Sequence, residues 1–162
     1  MARREVSRTG NKGRSITARE GAFRRSSDPA SYAIGVILIH LSVSLVHGLV
    51  HSRLGISLNA AQEIFVVAVI TAAPLVAGYL LWKNKLRAGG APLSVSMASA
   101  LAFGVFYHFI APGSDNVNHQ FLFGPATWID LFDQTAVGIA GLEVLGLILG
   151  LILFLNTSRR AS

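Results

Sequence analysis

SYAIGVILIHLSVSLVHGLVHSR, residues 31–53, is long and apolar enough to cross a bilayer as one helix. It carries His40, His47 and His51. Spacings of seven and four residues turn a helix by about 700° and 400°, so the three imidazoles fall within roughly 40° of one line. Histidines facing lipid are costly, so that line is expected to point into a helical bundle or a polar cavity.

Working outward, three more apolar segments follow, each near the length needed to span. With the first at about 31–52, they lie at about 60–82, 92–111 and 130–155. The second is uncharged from Ile64 to Trp82, and the third is interrupted only by His108. The fourth contains Asp133 and Glu143. With 52% hydrophobic and 14% charged residues, the 162-residue chain has the profile of an integral membrane protein. The expected fold is an all-α membrane protein, an up-and-down bundle of four transmembrane helices over residues 30–156. A disordered basic N-terminal tail, 1–29, precedes it, and a short tail, 157–162, follows.

The absence of cysteine excludes disulfides, thiolate metal sites and cysteine nucleophiles. The net charge of +6 resembles a nucleic-acid signal until the charges are placed. Of fourteen Lys and Arg residues, eight lie in the N-terminal tail, three in the 83–91 loop and two at the C-terminus, leaving only Arg53 elsewhere. That is the pattern of orientation determinants. It puts both termini in the cytoplasm, in a multi-pass protein of the plasma or inner membrane. No nucleic-acid partner is expected. The expected partners are the bilayer, anionic lipid at the polybasic tail, and further copies or a larger membrane complex. An Arg- and Ser-rich start also suits an organelle transit peptide. Tyr32 and Trp82 are expected in the inner aromatic belt, with Tyr107 and Trp128 in the outer one.

Local signals add detail. The 54–59 connection is short, so the first two helices form a tight hairpin. Asn59 and Gln62 read as the cap of the second helix. Pro74 is expected to kink it. Ser96, Ala100 and Gly104 on the third helix, and Gly146 and Gly150 on the fourth, permit close backbone approach.

Depth and orientation together bring the polar groups to one level. At 1.5 Å per residue, His47, His51 and His108 lie about 8, 14 and 9 Å above the midplane, and Glu63 lies near the height of His51. Imidazole and carboxylate at one level are what a transition-metal site needs. The predicted ligands are His47, His51, His108 and Glu63. Asp115 and His119 from the long outer loop and Asp133 from the fourth helix are secondary candidates. His40 and Glu143 fall near the midplane and are expected to form a buried hydrogen-bonded pair. Without cysteine, the donor set suits copper, zinc, iron or manganese. A second reading is a small b-type cytochrome, with His47 and His108 as axial ligands of a haem b. A third is a non-enzymatic accessory subunit. No hydrolase or oxygenase motif is complete, so the sequence names no reaction.

Overall fold

The computed structural model describes residues 29–119 and 124–158, with side chains up to Asn156. The expected basic tail and the last four residues lie outside the described residues. Four helices, each long and apolar enough to cross a membrane, account for nearly all of the rest. They are α1 (Pro29–Leu54), α2 (Ala60–Trp82), α3 (Leu86–Ile110) and α4 (Ala126–Ser158).

Their ends follow from local chemistry. α1 stops at Gly55, which takes the left-handed φ of 69° that a side chain disfavours. The Gly55 and Ile56 amides then bond back to the Ser52 and His51 carbonyls, closing the last turn in a Schellman motif. α2 opens on the expected capping box: Asn59 Oδ1 accepts from the Gln62 amide at 3.0 Å, and Gln62 Oε1 from the Asn59 amide at 2.8 Å. It ends at Asn84 with φ 57°. The Lys85 amide there reaches the Leu80 carbonyl, a second Schellman turn.

Three expectations change in detail. Pro74 lacks an N–H and crowds the carbonyl four residues back. The chain answers with a widened π turn over Val66–Ala72, in which the Ala73 amide bonds to Ala68. α3 starts at Leu86 instead of near residue 92, so the 83–91 loop shrinks to a tight turn. Arg87 falls in the first turn of α3, with its guanidinium 5.2 Å from the Phe154 ring centroid. α4 likewise begins at Ala126, ahead of the expected 130.

α1 packs on α4 and on the inner half of α2, and α3 packs on α2 and α4. The outer half of α2 scarcely touches α1. At the inner end, where α1 begins and α4 ends, α3 and α4 approach almost backbone to backbone. A Cβ at Gly90 would lie 2.7 Å from the Gly150 carbonyl oxygen and 2.8 Å from the Phe154 nitrogen.

The apolar core comes in two layers. The inner one holds Ile37, Ala77, Leu81, Leu93, Met97 and Leu153. The outer one holds Val50, Leu54, Ile56 and Phe132. Between them lie His40, His47, His108, Thr135 and Glu143, all buried. The outward faces are apolar instead: Leu45 is 76% exposed, Ile64 68% and Val95 67%. Apolar outside and ionisable inside is the arrangement a lipid-facing bundle requires.

Candidate metal centre

Three helical positions meet in the polar layer. His47 and His51 lie one turn apart on α1, and their Nε2 atoms are 3.0 Å apart. His108 comes from α3, inside a π turn over Phe106–Ile110 that the Ala111 amide closes onto the Phe106 carbonyl. The extra residue in such a turn re-aims the side chain, and π turns recur at functional sites. His108 Nε2 lies 3.2 Å from His47 Nε2. Each histidine offers a ring nitrogen, and these three atoms lie within 4.8 Å of one another. The Phe132 ring from α4 is fully buried, with its centroid 5.0, 5.4 and 5.3 Å from the rings of His47, His51 and His108. It limits how far any of them can turn.

The outer partners decide the tautomers. His108 Nδ1 lies 3.0 Å from the Asp115 backbone carbonyl, which can only accept, so Nδ1 carries the proton. His47 Nδ1 lies 2.7 Å from Thr135 Oγ1. That hydroxyl is also 2.7 Å from the Leu131 carbonyl. Its single proton goes to the carbonyl, so its oxygen accepts from His47 Nδ1–H. Both residues therefore keep Nε2 as the ring nitrogen that can take a further proton or a metal ion.

Asp115 closes the site from the outer loop. Its Oδ1 lies 3.0 Å from His108 Nδ1 and 3.2 Å from His51 Nε2. Both carboxylate oxygens are buried, and neither makes an aligned hydrogen bond. The Asn116 side chain braces the loop by donating to the Ala111 carbonyl at 2.9 Å.

The cluster opens into a cavity of about 510 Å³ that touches all four helices. Ser52, Ser57 and Glu63 line its outer part. Val66, Ile70, Phe103 and Ile139 form apolar walls. Glu143 also lines it. His40 Nε2 lies 3.5 Å from Glu143 Oε1, with both side chains almost wholly buried, so the expected pair is present.

The structure thus gathers His47, His51 and His108 and sets Asp115, a secondary candidate, against His51 and His108. Glu63 shares the cavity but stays exposed and outside the three-histidine group. His119 is exposed, with its amide bonded to the Asn116 carbonyl. Asp133 lies off the cavity, and one of its oxygens is buried without a partner. Thr135 and Phe132 were not legible as site residues. A signal did exist for Thr135, which stands at spacings of four with Ile139 and Glu143 on one face of α4. No protein-family model, curated protein or solved structure matches the chain.

Proposed function

We propose that this chain is a multi-pass membrane protein that binds a transition-metal ion between His47, His51 and His108, with Asp115 beside it. The observation that carries this reading is the convergence of three imidazole nitrogens, His47 Nε2 lying 3.2 Å from His108 Nε2 and 3.0 Å from His51 Nε2. Three ring nitrogens converging this closely, with the Asp115 carboxylate beside them, form a donor set that one cation can occupy. Metal-binding imidazoles characteristically donate their other N–H to a fixed acceptor, as His47 does to Thr135 and His108 to the Asp115 carbonyl. The two spacings at His47 also fit. Nitrogens bound at about 2.0–2.1 Å to one tetrahedral ion lie roughly 3.3 Å apart, against the 3.0 and 3.2 Å found here.

Neutral imidazoles and a carboxylate, with no thiolate, suit zinc, copper, iron or manganese. Three imidazoles with a cavity beside them leave a coordination position for an exogenous ligand, which the ion polarises. The haem reading is less well supported. Axial nitrogens on opposite faces of one iron lie about twice a metal–nitrogen bond apart with a macrocycle between them. Here the gap is 3.2 Å, and His51 Nε2 already sits 3.0 Å from one of the two.

We place the four helices across the bilayer as an up-and-down bundle with both termini in the cytoplasm. The distribution of Lys and Arg supports this. The three-histidine centre then opens toward the non-cytoplasmic side, and the basic tail meets anionic lipid.

Metal analysis of protein purified in detergent without chelator tests the reading. At least one ion per chain is expected in the wild type after exposure to zinc, copper, iron or manganese. His47→Ala and His108→Ala are expected to lose it. A metal-free wild type, or a haem absorption band, would reject it.

A further inference from the structure

The cavity extends past the histidines. Its deeper part is lined by Ser44 of α1, Ala100 and Gly104 of α3, and Ala140 and Glu143 of α4. Every charged side chain on its wall is acidic: Glu63, Asp115 and Glu143, with no Lys or Arg. Glu143 is 2% exposed, so an ionised carboxylate there requires a nearby positive charge.

Two further polar atoms in this region have no partner. Ser44 Oγ and His40 Nδ1 are both buried and unbonded, and the two residues stand one turn apart on α1. His40 itself is completely buried. A pair that merely set helix register would need His40 and Glu143 alone. It would account neither for the unbonded serine nor for the presence of Glu143 on the cavity wall. Gly104 keeps the space between the two levels free of a side chain. A Cβ there would lie 3.9 Å from His108 Cδ2 and 4.0 Å from Glu143 Oε2.

We propose that this deeper part of the cavity is a second cation site. The Glu143 carboxylate and the Ser44 hydroxyl are its ligands, and His40 is a positioning residue that holds the carboxylate through Nε2. It lies just below the three histidines: Ser44 stands three residues before His47 on α1, and the Cβ position at Gly104, 3.9 Å from His108 Cδ2, is 4.0 Å from Glu143 Oε2. A cation bound at the three histidines reaches it by descending the same cavity. Oxygen donors make it a harder site than the one above, suited to small divalent ions. The inference rests on reading the three histidines as a cation-binding centre, and it is tested separately from that centre.

The test is equilibrium dialysis of the full chain in detergent against cobalt(II), with the visible spectrum recorded. The wild type is expected to bind two ions, one of them giving the intense absorption of tetrahedral cobalt on imidazole. Glu143→Gln is expected to bind one ion with that absorption unchanged. Ser44→Ala is expected to weaken the second ion by roughly tenfold. If Glu143→Gln does not fold, Ser44→Ala carries the comparison. A wild type that binds a single ion would overturn the inference and leave the three-histidine centre standing. So would a second ion unaffected by either substitution. No cobalt bound at all would overturn both.

Discussion

His47 and His108 bring their Nε2 atoms to 3.2 Å across the bundle, from two helices, α1 and α3, that otherwise scarcely touch. A cation between them ties the diagonal of the bundle together. Loading with zinc is therefore expected to raise the unfolding temperature in detergent. Binding to the folded state alone contributes about 2.7 kcal/mol at a hundredfold excess over Kd. His108→Ala is expected to fold and to show no such increment. An equal increment in wild type and variant would place the ion elsewhere.

Thr135 fixes the tautomer of His47 through a 2.7 Å contact. Thr135→Val keeps the shape and removes the acceptor, leaving a buried N–H unsatisfied at a cost of about 1–3 kcal/mol. Metal affinity is expected to fall by roughly tenfold or more. Thr135→Ser is expected to retain most of it. Calorimetric titration of both variants checks this, and equal affinity in the valine variant would contradict the role given to Thr135.

Much of this was legible in the chain. Apolar runs of bilayer length gave the helices, and the four-residue offset of His47 and His51 gave a shared face. The His40–Glu143 pair followed from matching depth on antiparallel helices. What could not be read was local. The π turn over Phe106–Ile110 changes the phase at which His108 leaves α3, and a 3.6-residue period does not anticipate it. Asp115 stood only among the secondary candidates, because it reaches the site through a loop braced by Asn116 and a loop's path is not periodic. Thr135 shares a face of α4 with Glu143, but nothing in the sequence ties it to His47. The start of α3 was hidden because a charged residue, Arg87, ends an apolar window even when its guanidinium rests on an aromatic ring.

The inner crossing of α3 and α4 depends on the absence of side chains. Gly90→Ala would press a Cβ against the Gly150 carbonyl and the Phe154 nitrogen, backbone atoms that cannot swing aside. A loss of about 1–3 kcal/mol is expected, as for other overpacked interfaces. Gly138→Ala, where a Cβ meets nothing within 4 Å, is the matched control. Thermal unfolding of the two variants in detergent should separate them by several degrees, and equal midpoints would contradict the close crossing.

The orientation can be read at Ser114, an exposed residue of the loop between α3 and α4. The chain has no native cysteine, so Ser114→Cys creates a single target. An impermeant thiol reagent is expected to label it from the non-cytoplasmic side of intact cells. Labelling only after the cytoplasmic side is opened would invert the proposed topology.

The most direct measurement is X-ray absorption at the zinc edge of zinc-loaded protein. Three imidazole nitrogens at about 2.0–2.1 Å, with the multiple-scattering pattern of the rings, are predicted for the wild type. His51→Ala is predicted to show two. A zinc shell composed of oxygen alone, or one unchanged by removal of a histidine, would contradict the three-histidine centre.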